Sequence, residues 1–282
     1  MLTSYGTITI LKDLFDQCST MIVRPAPASD DDDVFDHYVS KAPSHQNAID
    51  LLEGWLSAFP PELNLSAGAM QAYSDPRIQW AIAMSGGVAG KHVLELGPLE
   101  GSHSYMLDRA GATVDAIEAN KGAFVRCLVA KEILKFSNVS FYLGDFVKWL
   151  RTTDRNYDLI VACGVLYHMI NPLELLELMA RHTNSVYLWT HFLDDAATEA
   201  GELQFDVEAF GSVQVRSRRR SYLSAERDPA FCGGLRDGHR WLHGDDILLV
   251  LRELGFSYIE LNHVDPAHEN GSAMSIFARK TG

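Results

Sequence analysis

Residues 91–120 constrain the fold of this chain more than any other stretch. They read KHVLELGPLEGSHSYMLDRAGATVDAIEAN: an apolar run, a glycine turn, an amphipathic segment and a second apolar run that ends at Glu118. Strand, glycine-rich turn, helix, strand and acid in this order are typical of the first half of a nucleotide-binding α/β unit. Glu118 lies about twenty residues past the turn, where a carboxylate binds ribose hydroxyls. The stretch predicts an adenosine-containing cofactor and leaves its identity open.

The same alternation continues along the chain. Predicted strands cover residues 92–96, 113–118, 139–143, 157–163 and 186–190, and predicted helices cover 102–110, 121–136, 147–151 and 172–182. Strands that alternate with helices predict a parallel sheet with right-handed crossovers. Two closing apolar runs are joined by the short segment DPAHENGS, which predicts an antiparallel hairpin. The predicted fold is therefore α/β, with a mostly parallel seven-stranded sheet, an antiparallel last strand and helices on both faces.

Two regions depart from this alternation. Within residues 1–85, a helical period over residues 46–59 ends at Pro60-Pro61, and Asp75 is placed to cap a helix over residues 76–84. Residues 191–243 contain a predicted strand at 205–210, a run of arginines and the turn Cys232-Gly233-Gly234. An insertion of this length is uncommon unless it is functional. We predict an N-terminal arm and helical lead-in or lid over residues 1–85, and a domain over 86–282 whose 191–243 insertion caps the ligand site.

The composition of the chain indicates which classes of partner it is expected to bind. A formal net charge of −13 argues against a nucleic-acid partner, since dedicated nucleic-acid-binding domains are usually basic. The cysteines lack metal-ligand spacing, so we predict no metal site and buried thiols at Cys127 and Cys163. The first residues lack the basic and apolar regions of a signal peptide, and no apolar stretch reaches the roughly 18 residues of a membrane span. We expect a cytoplasmic protein with no membrane partner.

Motifs at four strand ends resemble those of class I S-adenosylmethionine-dependent methyltransferases. ELGPLEG at residues 95–101 resembles the first motif, and Glu118 matches the ribose-binding acid. GDF at 144–146 matches the adenine-contacting segment, and YDLI followed by CGVLYH resembles the strand-4 motif. The antiparallel ending also resembles this family, whereas dinucleotide dehydrogenases continue with parallel strands. Pro98 stands where the middle glycine of this motif is usual. A dinucleotide needs that glycine so that its pyrophosphate can approach the backbone, whereas S-adenosylmethionine has no phosphate and tolerates a proline there.

The resemblance implies a Rossmann-like fold, S-adenosylmethionine as the cofactor, and methyl transfer to an oxygen or nitrogen of a small or medium polar acceptor. The implied cofactor-binding residues are Glu95, Gly97, Pro98, Gly101, Glu118, Ala119, Asn120, Gly144, Asp145, Phe146, Cys163 and Gly164. Tyr167, His168 and His191 are the catalytic candidates, because they follow strands at the edge where such sheets bind ligands. The candidate substrate-binding residues are Arg77, Trp80, Arg218, Arg220 and Trp241.

Other interpretations of these residues stay open. The VLELGPLEG and GVLYH segments are also similar to carboxymethylating enzymes of the tRNA wobble uridine, so an RNA-modifying methyl- or carboxymethyltransferase is one alternative. A non-catalytic adenosylmethionine-binding module is another. A lone histidine is more often structural than catalytic, and the arginines of residues 216–220 either hold an anionic substrate or pair with the many acids of the chain.

Overall fold

The computed structural model describes residues 37–195, 205–222 and 233–281. The helices are α1 (His45–Asp50), α2 (Pro76–Met84), α3 (Ser102–Arg109), α4 (Lys121–Leu134), α5 (Phe146–Thr152), α6 (Pro172–His182) and α7 (Gly244–Glu253). The strands are β1 (His92–Leu96), β2 (Thr113–Glu118), β3 (Val139–Leu143), β4 (Leu159–Cys163), β5 (Ser185–His191), β6 (Asp206–Phe210), β7 (Val213–Ser221), β8 (Gly238–Leu242), β9 (Tyr258–Asp265) and β10 (Ala273–Arg279). Among these residues, no helix is both long enough and apolar enough to cross a membrane.

The chain divides into two units, Met1–Pro43 and Ser44–Gly282. Residues 37–43 of the first unit are exposed and form no helix or strand. Most of the predicted N-terminal arm lies outside the described residues, as do Cys18, Cys232 and the acidic run at residues 30–33.

The main sheet has the order β3-β2-β1-β4-β5-β10-β9. Strands β1 to β5 pair in parallel, and β10 pairs antiparallel with both β5 and β9. This confirms the predicted Rossmann-like α/β fold with its antiparallel closing hairpin. Strand β1 lies between β2 and β4, so the chain reverses its direction across the sheet at β1. Open α/β sheets bind ligands beside the carboxyl ends of the strands at such a switch point.

Apolar residues on both faces of each parallel strand explain the near-continuous apolar runs in the sequence. Leu94 and Leu96 face the cluster under α6 and α7, whereas Val93 faces the cluster under α2, α3 and α4. Cys127 is fully buried on α4 and Cys163 is half-buried at the end of β4. Helices therefore cover both faces of the sheet.

A second, three-stranded antiparallel sheet has the order β6-β7-β8 and lies within the predicted insertion. The predicted strand at 205–210 corresponds to β6, whereas β7 and β8 had no strand signal. Strand β7 reads VQVRSRRRS, and its arginines conceal the alternation of the buried residues Val215 and Ser217. Val215 belongs to the core under α7, which joins this sheet to the main domain.

The predicted helix over residues 46–59 is wrong beyond residue 50, where α1 ends. The carboxylate of Glu100, which is fully buried, accepts hydrogen bonds from the backbone N–H groups of Leu56 (2.8 Å) and Ser57 (2.7 Å). Gly54 adopts a φ of 77°, which turns the chain out of the helix. A partner distant in sequence thus overrides the helical period, and it ties the lead-in segment to the turn after β1.

Candidate functional site

The turn between β1 and α3 forms the centre of the carboxyl edge. Gly97 and Gly101 adopt φ values of 65° and 79°, and Leu99 adopts 58°, which is uncommon for a residue with a side chain. A Cβ atom on Gly101 would lie 3.0 Å from the ring of Phe141. The predicted glycines are therefore required by the shape of the turn itself. Pro98 fits between them, and its carbonyl accepts a hydrogen bond from Gly101 N–H at 2.8 Å.

Glu118 ends β2 directly beside this turn and is buried. Its Oε2 accepts a hydrogen bond from Leu99 N–H (3.0 Å), and its Oε1 accepts one from Asn120 N–H (2.7 Å). Burial raises the pKa of Glu118, while the backbone N–H groups of Asn120, Leu99 and Ala119 oppose the rise. Each carboxylate oxygen keeps a further lone pair, so the pair of oxygens is fixed in place for two more donors.

The segment after β3 contains the predicted adenine contacts. Asp145 caps α5, and its Oδ1 accepts hydrogen bonds from Val147 N–H (2.9 Å) and Lys148 N–H (3.4 Å). Phe146 packs half-buried against the core. A Cβ atom on Gly144 would meet no atom within 4 Å, so the backbone here borders open space. Asp145 therefore has a structural role as a cap, and its second oxygen is left for another donor.

A row of charged residues lies beside the first turn, and one of them, His103, was not predicted from the sequence. His103 on α3 places Nε2 3.0 Å from Asp75 Oδ2 and Nδ1 3.8 Å from Glu95 Oε1. Asp75 caps α2 and also binds the guanidinium of Arg77, with a closest distance of 2.7 Å. Burial alone would lower the pKa of His103, but Cys163, Asp75 and Glu95 raise it to about 10. The two carboxylates of Asp75 and Glu95 therefore favour the protonated, positively charged imidazole.

This row brings predicted and unpredicted residues together. Glu95 is buried, accepts a hydrogen bond from Ser104 Oγ, and has a raised pKa because of its burial. The guanidinium of Arg77 lies 4.6 Å from the ring centroid of Trp189 on β5. Arg77 thus connects the cap of α2 to the end of β5. His103 could have been found from the sequence, since GSHS places it on the first turn of the helix that follows the glycines.

Aromatic and imidazole rings occupy the ends of β4 and β5. The ring of His191 stacks on Trp241 at 5.0 Å with an interplanar angle of 9°, and Tyr167 contacts it edge-on at 4.5 Å. His191 Nδ1 lies 2.8 Å from the carbonyl oxygen of Gly271. A carbonyl only accepts, so Nδ1 carries the proton and Nε2 of the neutral ring holds a lone pair. Burial lowers the pKa of His191, and His268 and Arg220 lower it further against the opposing effect of Gly271.

We expect Gly271→Ala to disturb this arrangement. Gly271 has a φ of 107°, and a Cβ atom there would lie 2.6 Å from Cζ3 of Trp241. The substitution should lower the free energy of unfolding by about 1–3 kcal/mol through backbone strain, which thermal unfolding would detect. Gly238→Ala is the matched control, because a Cβ atom there meets no atom within 4 Å. Equal melting temperatures for the two variants would contradict the role given to Gly271.

His168 lies near His191 in a different environment. Its Nδ1 hydrogen-bonds the hydroxyl of Tyr222, which also accepts from Gly234 N–H at 3.0 Å. Burial lowers the pKa of His168 to about 3, with smaller contributions from His239 and His191. A group with this pKa is a weak proton acceptor near neutral pH. Its bonds tie the end of β4 to the insertion, so its position favours a structural role.

Other predicted residues fall into separate networks. Trp80 packs edge-on against Tyr187 (6.1 Å) and His263 (6.2 Å), so core packing explains its position. Arg216, one of the arginines considered for an anionic substrate, instead binds Asp246 at 2.9 Å and Asp195 at 3.0 Å. His243 joins that network through Arg216, at 2.8 Å.

We expect Arg216→Gln to destabilise the fold. Burial alone would raise the pKa of Asp246, but hydrogen bonds from Arg216 lower it. Because that pKa is lowered, the contribution to stability is present above the unfolded value of about 3.9 and is lost as pH falls below it. Removing the arginine leaves the buried carboxylate of Asp246 without its cationic partner. Because Arg216 itself is partly exposed, we expect a loss of about 1–3 kcal/mol in the free energy of unfolding. Urea unfolding at neutral pH measures this, with Arg219→Gln as the exposed control. An unfolding free energy equal to that of the control would contradict it.

Comparison with known proteins found one matching family model and several solved structures of similar fold. Residues 94–185 match a family model described as "Methyltransferase domain". No curated protein sequence matches the chain. The N-terminal domain of EvdMO1, crystallised in the presence of SAH and D-fucose, is 24% identical with a TM-score of 0.65, and the match covers 85% of this chain and 100% of that one. In full-length EvdMO1, the match covers 46% of that chain.

Two further solved structures have the same fold. A Burkholderia thailandensis 1,6-didemethyltoxoflavin-N1-methyltransferase with bound 1,6-didemethyltoxoflavin and S-adenosylhomocysteine is 14% identical, covers 75% of this chain and 79% of that one, and has a TM-score of 0.50. An S-adenosylmethionine-dependent methyltransferase from Clostridium acetobutylicum ATCC 824 is 11% identical, covers 76% and 93%, and has a TM-score of 0.50. Residues 94–185 are therefore similar to a methyltransferase domain, and the chain shares its fold with these solved methyltransferases. The EvdMO1 domain was crystallised in the presence of S-adenosylhomocysteine, the product of the cofactor S-adenosylmethionine, and the Burkholderia thailandensis enzyme has S-adenosylhomocysteine bound.

The residues at the carboxyl edge fit this cofactor chemically. Its ribose offers two hydroxyl donors, and Glu118 presents two fixed carboxylate oxygens. Its methionine end carries an ammonium and a carboxylate, and the row beside the first turn has groups of both signs, namely the carboxylate of Glu95 and the cations of His103 and Arg77. The donor and acceptor set thus matches the cofactor at both ends.

Proposed function

We propose that this protein is an S-adenosylmethionine-dependent methyltransferase that methylates an oxygen or nitrogen of a small or medium polar acceptor. The observation that carries the proposal is the order of groups along the carboxyl edge. Asp145 follows β3, Glu118 ends β2, the glycine turn follows β1, Cys163 ends β4, and His191 ends β5. Because the sheet order is β3-β2-β1-β4-β5, these groups lie in one row.

The binding roles in this row follow from the charges. Glu118 holds the ribose hydroxyls, and the second oxygen of Asp145 accepts from the adenine amino group while Phe146 lies against the ring. Glu95 faces the ammonium group, and His103 and Arg77 face the carboxylate. Ala119 and Asn120 fix Glu118 through their backbone N–H groups. The remaining cofactor contacts are proposed to come from the side chain of Cys163 and from the backbone of Gly97, Pro98, Gly101, Gly144 and Gly164.

His191 is the proposed base. When bound, S-adenosylmethionine supplies an electrophilic methyl group on a sulfonium centre. Nε2 of the neutral His191 would take the proton of the acceptor hydroxyl or amine, and the freed lone pair would form the bond to the methyl carbon while the carbon–sulfur bond breaks. The electrons of the broken bond would return to sulfur, so that neutral S-adenosylhomocysteine leaves and the proton stays on His191. The lowered pKa keeps the ring neutral near pH 7, and the hydrogen bond to Gly271 fixes its tautomer.

Alignment is the main contribution of the remaining chain. Tyr167, Trp189 and Trp241 surround His191 with rings at 4.5–5.0 Å, which orients the acceptor and excludes water. Holding two reacting groups at near-attack distance lowers a barrier by up to about 7–11 kcal/mol. The three-stranded sheet supplies Trp241, so we propose the 191–243 insertion as the acceptor-site cap, with the N-terminal lead-in, through Arg77, as a lid over the cofactor side.

Two observations favour a small molecule over RNA. The EvdMO1 domain was crystallised in the presence of D-fucose, and the Burkholderia thailandensis enzyme with bound 1,6-didemethyltoxoflavin. The net charge of −13 opposes the counterion-driven attraction on which RNA binding depends. We therefore place tRNA modification, including carboxymethylation, second.

A label-transfer assay tests the proposed function. The protein is incubated with methyl-labelled S-adenosylmethionine and either the small-molecule fraction of a cell extract or bulk tRNA. We expect label in the small-molecule fraction, and much less there with Glu118→Ala at a cofactor concentration near the wild-type dissociation constant. Label in tRNA would favour the RNA-modifying alternative. Binding of S-adenosylmethionine without transfer to either substrate would favour the non-catalytic binding module.

A further inference from the structure

One face of the three-stranded sheet presents arginines beside Trp241, which stacks on the proposed base His191. Arg218 pairs across the ladder with Trp241, and Arg220 pairs with His239. Side chains of residues paired in this way lie on the same face of a sheet, as do those of residues two apart on one strand. The guanidinium carbon of Arg220 lies 3.7 Å from the ring centroid of Trp241. Both arginines and this indole therefore form one surface.

The side-chain N–H groups of Arg218, Arg220 and Trp241 are hydrogen-bond donors that have no acceptor among the described residues. Within residues 37–195, 205–222 and 233–281, neither Arg218 nor Arg220 forms an ion pair, whereas Arg240 on β8 binds Glu208 at 2.7 Å. Trp241 is 5% exposed, and its Nε1 is buried without a hydrogen-bond partner in the described residues. Buried polar groups are nearly always paired, so an unpaired N–H beside two arginines indicates a missing acceptor.

The same surface adjoins the proposed base. The indole ring of Trp241 stacks on the imidazole ring of His191, and the same indole ring contacts the guanidinium of Arg220. Arg218 and Arg220 are two residues apart on one face of β7, so their like charges are close. Arg220 is exposed, and partial desolvation followed by the charge of Arg218 lowers its pKa. Arg220 also lowers the pKa of both His191 and His239. An anion would offset this concentration of positive charge, and a neutral ligand would not.

We propose that the acceptor is a small molecule bearing a carboxylate or phosphate group, held by Arg218, Arg220 and the Nε1 of Trp241 next to His191. This inference rests on the proposed methyltransferase function and specifies its substrate class. Arginine matches both anions because its fork of N–H groups donates to two oxygens at once. The anionic group anchors the acceptor at the insertion, which leaves its nucleophile to be oriented by the rings around His191.

Calorimetric titration of model anions tests the proposal. Protein saturated with S-adenosylhomocysteine is titrated with benzoate, phenyl phosphate and the neutral benzamide. We expect at least one anionic probe to bind about tenfold more tightly than benzamide, a difference of about 1.4 kcal/mol. The tighter of the two anions distinguishes a carboxylate site from a phosphate site. Equal binding of all three probes, or binding of none at millimolar concentration, would overturn the proposal.

Three variants locate the effect. The double variant Arg218→Gln/Arg220→Gln should lose the preference for anions, and Arg219→Gln, on the opposite face of β7, should keep it. Trp241→Phe keeps the stacked ring and removes Nε1, so anion binding should weaken several-fold while benzamide binding is unchanged. Equal losses in Arg219→Gln and the double variant would show a nonspecific charge effect and contradict the proposal.

A separate titration distinguishes this inference from the proposed function. S-adenosylhomocysteine binding without a preference for anions would contradict only the anionic acceptor. A preference for anions in protein that does not bind S-adenosylhomocysteine would contradict the methyltransferase and leave an anion site of another function. Thermal unfolding of each variant confirms that it is folded before either result is interpreted.

Discussion

Glu118→Ala is expected to weaken S-adenosylhomocysteine binding by about 10- to 100-fold, because hydrogen bonds to a charged group contribute about 1.5–3 kcal/mol. The carboxylate has two relevant sets of partners. It is proposed to accept from the ribose, and it holds the backbone N–H of Leu99 in the strained turn. Its removal therefore both deletes two acceptors and loosens the cradle beside them. Calorimetric titration measures the dissociation constant directly.

Two controls separate these effects. Glu118→Gln keeps one oxygen, so its loss of affinity should be intermediate. Glu132→Ala removes an exposed acid of the surface pair with Lys135, far from the proposed contacts, and should leave the dissociation constant unchanged. Unchanged affinity in Glu118→Ala would mean that the ribose lies elsewhere and would remove the main support for the cofactor site.

His191→Asn is expected to lower the rate of methyl transfer to a hydroxyl acceptor by about 10²–10⁴-fold, the usual contribution of a general base. The dissociation constant for S-adenosylhomocysteine should stay the same, because His191 lies on the acceptor side. Single-turnover assays, with the acceptor identified by label transfer, measure the rate. His168→Asn should have a smaller effect, since a pKa of about 3 makes His168 a poor base.

The pH dependence gives the same hypothesis a second test. Burial, His268 and Arg220 place the pKa of His191 below its usual value of about 6.5. Only the neutral form accepts a proton, so kcat/KM should rise with pH through this lowered pKa and be level at neutral pH. The wild type should show this ascending limb, and His191→Asn should not. A limb that persists in His191→Asn would assign the titration to another group.

The parallel sheet and the cofactor edge were predictable from the sequence because burial on both faces leaves apolar runs. The acids Glu95, Glu118 and Asp145 interrupt those runs at strand ends, which is why they were recognised. His103 was missed because its neighbours in the row, Asp75 and Glu95, are brought to it by separate elements. Its charge depends on those contacts and on Cys163, which no local pattern shows.

Long-range contacts account for the remaining differences. Glu100 binds the backbone N–H groups of Leu56 and Ser57, more than forty residues earlier in the chain, and so holds the second half of the predicted helix in a non-helical conformation. The arginines of β7 have the same residue type and different surroundings. Arg216 meets Asp246 on α7, whereas Arg220 lies over Trp241 on β8. Which arginine is structural and which is available to a ligand is therefore set by tertiary packing.

The most direct measurement is a crystal structure of the protein with S-adenosylhomocysteine. We predict the ribose hydroxyls against Glu118, the adenine beside Asp145 and Phe146, and the amino-acid end next to Glu95 and His103. The sulfur should then point towards the pocket of Tyr167, His191 and Trp241. A ligand bound away from this edge, or a ribose that does not contact Glu118, would contradict the account.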